Sequence, residues 1–469
     1  SAVPCRCCNS TCCTKKKKEA ATDAMKSAYG GVFYANKFGY LNDPCYDGPS
    51  FLGDSLKGLY GNKLDIGGEA RVRYHDENNF RGRVPGLRGP NPSGLGLTNN
   101  DDTFFLTRIR LFADYRLTEN LRVYGEYLYA DSGGETFNNR PIEENRGEMQ
   151  NLFLDAKLTD NLTARVGRQE LLYGSQRLIS PLDWANTRRT FEGVRGLYTG
   201  DDWNLDGFFV HPVNRNAATE SKIDDADENQ DFYGAYATRK GLDIGVVDMY
   251  YLGFDNKTAD FTYHTIGSRV SGKTDGGLLY ETEGGVQFGD NTGGSSHSAT
   301  FFTAGLGRQL AIGDWKPTLW MWYDTASGEE DFANVGRGDD GFDHLNPLAH
   351  KYLGLMDLFG RRNIEDFNMQ LIAPVLGKKV KMLLWYHYLR LNEQTTPYDV
   401  VMQPYNTNIP AGSKELGHEI DCLFTVALNP RNEVLLGYSY FAAGDYYDTT
   451  AGVPNNDADF FYAQFQTRF

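Results

Sequence analysis

Alternation of apolar and polar residues is the dominant pattern in this chain, and it is clearest at the C-terminus. Residues 461–469 read Phe-Tyr-Ala-Gln-Phe-Gln-Thr-Arg-Phe, so an apolar or small side chain occupies every second position and the last residue is aromatic. Successive side chains of a β-strand point to opposite faces of the sheet. The pattern therefore predicts a terminal strand with one apolar face and one polar face.

The same alternation recurs in eighteen segments bounded by turn residues, which predict eighteen strands. Short turns such as 118–120 and 240–241 alternate with long polar loops such as 326–362 and 392–413. Segment 258–271 and its successor have the weakest pattern, so a total of sixteen stays open. The predicted strands cover residues 64–75, 103–117, 120–130, 147–158, 161–170, 190–199, 202–211, 230–239, 242–253, 258–271, 277–288, 298–311, 315–325, 363–373, 378–391, 414–428, 431–443 and 457–469.

Strands joined alternately by short turns and long loops are typical of bacterial outer-membrane barrels. We therefore predict an all-β fold, a transmembrane antiparallel β-barrel over residues 61–469, after an N-terminal segment over residues 1–60. The short turns and both termini should be periplasmic, and the long loops extracellular. A mean hydropathy of -0.51 argues against a helical membrane protein, and no run approaches the ~18–20 apolar residues of a spanning helix.

The faces of single strands indicate what lies inside the barrel. In the strand at 103–117, Phe105, Ile109 and Leu111 share one face, whereas Arg108 and Arg110 share the other. A charge facing the bilayer midplane costs ~2–4 kcal/mol, so the arginines should face the lumen. A barrel of about eighteen strands is too wide for its own side chains to fill, which predicts an aqueous pore.

Segment 167–198 is the most distinctive part of the chain. It contains Gly-Arg-Gln at a strand end, then Tyr-Gly and Arg-Leu, then Asp-Trp, Asn and Arg-Thr-Phe. This series resembles the signature of the alginate-export family of outer-membrane porins. The resemblance implies an eighteen-stranded barrel whose arginine-lined constriction passes an anionic polysaccharide to the cell exterior.

Arginines on neighbouring early strands, and six more within residues 165–195, are the candidate anion-binding residues. Arginine donates paired hydrogen bonds to carboxylates and keeps its charge, so a ring of arginines attracts anions. The loop between the fifth and sixth predicted strands could fold inward and narrow the pore, which makes its Trp184 a candidate for stacking on sugar rings. On this interpretation, neutralising Arg108 and Arg110 weakens anion preference and leaves folding intact. The alternative is that the arginines pair with nearby acids and only stabilise the wall. The candidates are Arg71, Arg73, Arg108, Arg110, Arg122, Arg165, Arg168, Arg177, Arg188, Arg189 and Arg195.

The net charge of -15 is compatible with an anion pore if the acids lie outside it. Residues 211–230 hold five acids and two bases, and residues 324–362 hold eight acids and four bases. Both stretches fall largely in predicted outer loops. One acidic run places oxygen ligands at alternate positions, as calcium loops do, but lacks the glycine turn and terminal glutamate of an EF-hand. Its candidate ligands are Asp225, Asp227, Asn229 and Asp231.

Cysteines are concentrated at the N-terminus, just before the lysine run 15–18. In an oxidising periplasm they should form disulfides, within the segment or between subunits, and an odd total leaves one thiol over. The N-terminal segment could plug the lumen, join subunits as a homo-oligomer or bind a periplasmic partner. The seven disulfide candidates are Cys5, Cys7, Cys8, Cys12, Cys13, Cys45 and Cys422.

Enzymatic signatures are missing from the sequence: there is no Gly-x-Ser-x-Gly elbow, phosphate loop or dinucleotide fingerprint. We therefore predict a passive channel with an anion-selective lumen and no cofactor or resident metal. Expected partners are outer-membrane lipid, the barrel-assembly machinery, and an anionic polysaccharide or small anions, without nucleic acid. The alternative is a general or structural porin with a role in the envelope lattice.

Overall fold

The computed structural model describes residues 13–79, 101–137, 139–215, 223–336, 338–377, 379–451, 453 and 456–469. Its strands form one sheet of eighteen, in which each strand pairs antiparallel with its neighbours in sequence. The first strand also pairs with the last, so the sheet closes into a barrel. The prediction of eighteen strands is confirmed, and the alternative of sixteen is wrong.

The observed strands agree with the predicted segments to within a few residues at each end, because period-two alternation continues up to the turns. They are β1 Leu64–Asn78, β2 Asp102–Arg116, β3 Leu121–Gly133, β4 Asn145–Lys157, β5 Leu162–Gln169, β6 Phe191–Thr199, β7 Trp203–Pro212, β8 Gln230–Leu242, β9 Gly245–Asn256, β10 Phe261–Lys273, β11 Leu278–Asp290, β12 Ser296–Gln309, β13 Thr318–Ala326, β14 Ile364–Val375, β15 Val380–Arg390, β16 Glu415–Asn429, β17 Asn432–Ala443 and β18 Ala458–Arg468.

Outward and inward faces follow the alternation of the sequence. On β2, Phe105 is 52% exposed and Ile109 45%, whereas Arg108 and Arg110 are buried inside the barrel. On β18, Phe461 and Phe465 are exposed on the outer surface. Apolar side chains outside and charged side chains inside are the arrangement that a bilayer and an aqueous lumen select.

The barrel closes between β1 and β18, with Glu69 in register with Arg468. The C-terminal residue extends this pairing, because Phe469 exchanges two backbone hydrogen bonds with Gly68, at 2.8 and 3.0 Å. A side chain at position 68 would place its Cβ 2.3 Å from the carbonyl oxygen of Arg110. Glycine is therefore required where the last residue crosses the first strand.

Connections differ in length between the two rims of the barrel. One rim, here called the short-turn rim, carries turns such as 117–120 and 430–431, together with both ends of the barrel sequence. The opposite long-loop rim carries loops such as 170–190, 327–363 and 391–414. Two of its connections, 257–260 and 291–295, are as short as turns, so the alternation of length is incomplete on that side.

The N-terminal segment enters the barrel at the short-turn rim. Its helix α1 spans Lys15–Lys26. Thr14 caps the N-terminus of this helix, because its side chain accepts a hydrogen bond from the Lys17 amide. A disulfide joins Cys13 to Cys45. Aromatic side chains of this segment pack on the inner faces of β2, β3 and β4. The buried residues of this cluster are Met25, Ala28, Phe33, Phe38, Tyr40, Phe112, Tyr124 and Phe153.

The remaining helical elements are short. They are α2 Leu59–Asn62, α3 Asp445–Thr449, and 3₁₀ turns at Phe33–Ala35, Gly39–Asn42, Asp54–Leu56, Phe332–Asn334 and Ala349–Lys351. In the part of the chain that the structure describes, no helix is long and apolar enough to span a membrane.

Candidate functional site in the barrel lumen

The loop between β5 and β6, residues 170–190, folds into the lumen and is held by arginines of the wall. Arg71 Nη1 donates to the carbonyl oxygen of Asp183 at 2.8 Å, and Arg73 Nη1 donates to that of Trp184 at 3.0 Å. The side-chain amide of Asn186 donates to the Thr107 carbonyl of β2 at 2.8 Å. Most of the distinctive segment 167–198 therefore forms this lumenal loop. Several residues of the segment make the contacts that hold the loop in place.

A second loop, residues 327–363 between β13 and β14, meets the first inside the barrel. The two loops exchange backbone hydrogen bonds around Ile179 and Asn346. Carboxylates of β16 also hold the second loop, because Glu419 accepts a hydrogen bond from the Met356 amide at 2.9 Å and Asp421 accepts one from the Leu355 amide at 3.3 Å. The two loops together narrow the lumen.

The narrowed lumen contains a cavity of about 570 Å³. Side chains from both inward loops and from the walls line this central cavity, which combines cationic, aromatic and aliphatic groups. The lining residues are Arg71, Arg73, Gly174, Ser175, Arg177, Asp183, Trp184, Arg269, Glu281, Trp322, Asp324, Leu348, His350, Lys351, Tyr352, Leu355, Asn368, Gln370, Ile372, Leu383, Trp385, Leu423, Leu435, Tyr462 and Gln464.

Three of the eleven predicted arginines line the central cavity: Arg71, Arg73 and Arg177. Seven others lie in ion pairs elsewhere in the barrel, with nitrogen–oxygen distances of 2.5–2.7 Å. The pairs are Arg108–Glu69, Arg110–Glu126, Arg122–Asp114, Arg165–Asp155, Arg168–Glu148, Arg188–Glu170 and Arg195–Asp206. These seven arginines therefore each have an acid beside them, as the alternative interpretation of the sequence expects.

Arg189, the remaining predicted arginine, and Arg168, one of the seven, depart from a lumenal ring in other ways. Arg189 donates to the carbonyl oxygens of Ser180 and Pro347, at 3.3 and 3.1 Å, and so ties the two inward loops together. Arg168 lies in register with Leu152, whose side chain is exposed on the outer surface. Because Arg165 and Arg168 are three residues apart on β5, they cannot share a strand face.

The acids that line the central cavity are all paired with arginine. Asp183 bonds Arg108 and Arg188, Glu281 bonds Arg177 and Arg269, and Asp324 bonds Arg361. Burial alone would raise the pKa of Asp183, but the guanidinium groups of Arg188 and Arg108 hold that pKa well below its usual range. Each of these carboxylates therefore has at least one guanidinium group in contact with it.

Within the part of the chain that the structure describes, three cations of the cavity have no carboxylate in an ion pair with them. Arg71 and Arg73 bond backbone carbonyls, with Gln464 as a further partner of Arg73 at 2.8 Å. The ammonium of Lys351 bonds the Ser175 carbonyl at 3.4 Å and lies over the ring of Tyr352. The central cavity therefore carries net positive charge although the whole chain is acidic.

Trp184 lies in the cavity wall between two other side chains. The ring of His350 stacks on it with centroids 3.5 Å apart, and the guanidinium of Arg73 lies 3.7 Å from its centroid. Two groups at these distances cannot share one face, so both faces of the indole are covered. In this arrangement the predicted stacking of Trp184 on a sugar ring has no free surface.

Two of the four predicted calcium ligands have oxygen atoms engaged in other contacts. Asp227 accepts hydrogen bonds from the Asn229 amide and the Gln230 side chain, at 3.0 and 2.8 Å. Asp231 pairs with Lys257 at 2.9 Å. Within the described ranges, no three or more His, Cys, Asp or Glu side chains are arranged to hold a metal ion.

The cysteine predictions divide into three outcomes. Cys13 and Cys45 form a disulfide within the chain. Cys422, on β16, is a free thiol. The other candidates lie outside the described residues, namely Cys5, Cys7, Cys8 and Cys12.

Sequence reasoning missed most of the cavity lining that comes from β10–β17 and from the second inward loop. Lys351 and Tyr352 stand in a loop interpreted as outer surface, and nothing in its composition indicates that it folds inward. Trp322, Leu383 and Leu423 occupy positions that alternation assigns to the inner face. That assignment was the available signal, since apolar residues at inward positions break the rule for a polar lumen.

Comparison with known proteins agrees with this geometry. The family description that matches the chain is alginate export, over residues 63–461. The chain belongs to the alginate export family. The match begins within one residue of β1 and ends inside β18, so it spans the barrel. No curated protein sequence matches this family member.

Solved structures similar to this alginate export family member are porins. A BenF-like porin from Pseudomonas fluorescens Pf-5 aligns with a TM-score of 0.58 and 12% identity, covering 87% of this chain and 98% of the other. Pseudomonas aeruginosa OpdK, solved with vanillate, aligns at 0.56 and 9%, covering 86% and 98%. Pseudomonas aeruginosa OccK2, in complex with glucuronate, aligns at 0.54 and 11%, covering 86% and 97%. At these identities the likeness shows the fold, which is that of outer-membrane porins.

Proposed function

We propose that this protein is a passive, anion-selective channel of a bacterial outer membrane, with the short-turn rim and both termini on the periplasmic side. One observation carries the proposal: among the described residues, Arg71, Arg73 and Lys351 line the central cavity without carboxylate partners, while each acid in the lining is paired with arginine. Uncompensated positive charge in a narrow, low-dielectric passage attracts anions and repels cations.

The chemistry of the wall favours carboxylates among anions. Guanidinium groups match the two oxygens of a carboxylate in geometry as well as in charge. Two of the similar porins were solved with carboxylate compounds, vanillate and glucuronate, which supports the same class of solute here. A channel of this kind needs no cofactor, and we assign the protein no catalytic role.

Ion selectivity of the purified protein in a planar bilayer under a KCl gradient tests the proposal. We expect the reversal potential to shift toward the equilibrium potential of chloride. In Lys351→Gln, whose parent side chain is exposed in the cavity, the chloride-to-potassium permeability ratio should fall about twofold, as the loss of one charge at ~8 Å in water implies. Lys257→Gln, at a surface pair with Asp231, is the matched control and should change nothing.

An unselective or cation-selective current would contradict the proposal and favour a general or structural porin. A closed channel would direct attention to the N-terminal segment inside the short-turn rim.

Export of an anionic polysaccharide is the second candidate function, and the family match is the observation that favours it. A polyuronate chain would present a series of carboxylates to the same cations. Added to one side of the bilayer, oligouronates should block the current more tightly as their length increases. Block that does not depend on length would argue that the channel takes single small anions.

A further inference from the structure

Aliphatic side chains form part of the central cavity wall, where an aqueous lumen favours polar ones. Ile372, Leu383 and Leu423 are direct cross-strand neighbours on β14, β15 and β16. Leu435 of β17 is in register with Thr425, two residues from Leu423. All four line the cavity and are half-buried. We call these four residues the aliphatic row; covering it removes apolar surface from water, which is favourable.

Tryptophan side chains add to the apolar lining. Trp385 lies next to Leu383 on the inner face of β15, and its ring nitrogen is already used, since it donates to the side-chain oxygen of Asn368 at 2.8 Å. Trp322 of β13 also lines the cavity. Flat rings beside an aliphatic row favour a solute with an apolar body, because hydroxyl groups placed there would lose their hydrogen bonds to water.

The unpartnered polar atoms of the cavity wall are of one kind. Among the described lining residues, each buried side-chain atom without a hydrogen-bond partner is an N–H donor. These donors are Arg71 Nε, Arg177 Nε, Arg269 Nε and Trp322 Nε1. A carboxylate only accepts hydrogen bonds, at up to four positions, so it is complementary to these unpartnered donors.

We propose that the central cavity binds small monocarboxylates with an apolar ring or branched aliphatic body. The carboxylate lies toward Arg71, Arg73 and Lys351, the cavity cations without a carboxylate beside them among the described residues, and the body covers the aliphatic row. The cavity volume of about 570 Å³ is in the range of small-ligand sites, ~300–1,000 Å³. This inference rests on the proposed anion preference and names its substrate class, in distinction from a hydroxyl-rich polyuronate.

A matched pair of solutes tests the class directly on the unmodified full chain. Cyclohexanecarboxylate and glucuronate both carry one carboxylate on a six-membered ring, and they differ in their hydroxyl groups and ring oxygen. Half-block of the chloride current in a planar bilayer should need about tenfold less cyclohexanecarboxylate than glucuronate. Cyclohexylmethanol, the neutral analogue, should block far more weakly than either, because it lacks the charge.

Removing the aliphatic row provides the second arm of the experiment. In Leu383→Ala with Leu423→Ala, cyclohexanecarboxylate block should weaken about tenfold, while glucuronate block stays within twofold, since several methylene contacts are lost. The control is Leu384→Ala with Leu436→Ala, the same truncation at two side chains on the lipid face, each 40% exposed. Heat-dependent electrophoretic mobility confirms that each variant is folded.

The outcomes separate the two proposals. Chloride selectivity with equal block by both ring acids would overturn this inference and leave the anion channel standing. Tighter block by cyclohexanecarboxylate that survives loss of the aliphatic row would also overturn it, because the body would then bind elsewhere. Absence of anion preference would overturn both. Should the double variant fail to fold, the comparison of the two acids on the unmodified chain still decides.

Discussion

Individual arginines of the lumen wall differ in whether a carboxylate lies beside them, and this difference decides what each can do. Arg108 and Arg110 were expected to be free anion-binding groups. Both are instead completely buried, and each has a carboxylate 2.6 Å away. Both charges are therefore compensated by carboxylates, in ion pairs that hold the wall and the inward loop. The expectation that these arginines can be neutralised without harm to folding no longer follows.

Arg108→Gln should destabilise the barrel, because it leaves Glu69 as a buried carboxylate with weaker compensation. We expect a loss of about 3 kcal/mol in the free energy of unfolding, the lower end of the range for a broken buried pair, since Arg468 remains 3.5 Å from Glu69. Urea unfolding in lipid vesicles, followed by tryptophan fluorescence, measures this change.

Double substitution provides the control for Arg108. Arg108→Gln with Glu69→Gln should recover part of the lost stability, because no unpaired buried charge is left. Equal losses in the single and double variants would show that the ion pair contributes through packing alone.

At the scale of elements, loops decide the shape of the lumen. The β15–β16 loop, residues 391–414, contains Asp399, a completely buried carboxyl. Its Oδ1 accepts hydrogen bonds from the Val401 and Gln403 amides, at 2.9 and 2.8 Å. Burial outweighs these bonds and raises the pKa of Asp399 to about 7. In the adjoining loop, burial raises the pKa of Asp343 to about 6 and lowers that of His344 to about 3.

This loop should loosen as the pH rises. An aspartate with a raised pKa binds more protons in the folded state than in the unfolded state, whose pKa is about 3.9. Its contribution to stability is therefore complete below that value and is lost as the pH rises through about 7. We expect proteases to cut within residues 391–414 faster at pH 8 than at pH 5, relative to a denatured control.

Asp399→Asn should remove most of that pH dependence, because the amide keeps both acceptor bonds and never ionises. The remainder would come from Asp343, whose pKa shifts in the same direction. His344 acts in the opposite direction, because burial lowers its folded-state pKa to about 3 whereas an unfolded histidine binds a proton below about 6.5, which favours opening at pH 5. A pH dependence unchanged in Asp399→Asn would place the responsible group elsewhere.

At the scale of the whole molecule, the N-terminal segment and the barrel share one interior. Phe33 lies 3.8 Å below the guanidinium of Arg110, Arg122 donates to the Tyr34 carbonyl at 2.6 Å, and Arg431 donates to the Met25 carbonyl at 3.2 Å. The segment therefore occupies part of the lumen at the short-turn rim. Arginine side chains of the barrel wall make these contacts, and they hold the segment against the wall.

Deletion of residues 1–50 should widen the pore and leave the barrel folded, because every strand and its closing seam lie outside the deleted part. We expect a higher single-channel conductance, with heat-dependent electrophoretic mobility preserved. Cys13→Ser with Cys45→Ser, which removes the disulfide and keeps the segment, should retain the original conductance. Unchanged conductance after the deletion would show that ions pass beside the segment rather than through the space it fills.

Period-two alternation in the sequence was sufficient to predict the strands and their outward faces, and it left their number at eighteen or sixteen. Each strand carries its own pattern, and a one-residue shift would place charges such as Arg108 in lipid, so local sequence and the membrane fix the register together. The family signature at 167–198 was likewise visible in the sequence, because it is a continuous series of residues that forms one loop and its flanking strands. Strand positions, outward faces and this signature all depend on neighbours in sequence or on the solvent outside the barrel.

Pairing between distant side chains was decided only by the tertiary structure. No pattern in sequence indicates that Glu69 compensates Arg108, that Lys351 lies in the lumen, or that Ile372, Leu383 and Leu423 form one row. These contacts join residues of different strands and loops, and the strength of a charge–charge contact falls with distance, so it depends on where the fold places both partners. The sequence by itself thus determined a barrel with charges inside. Folding of two loops and the N-terminal segment into that barrel decided which charges face the cavity.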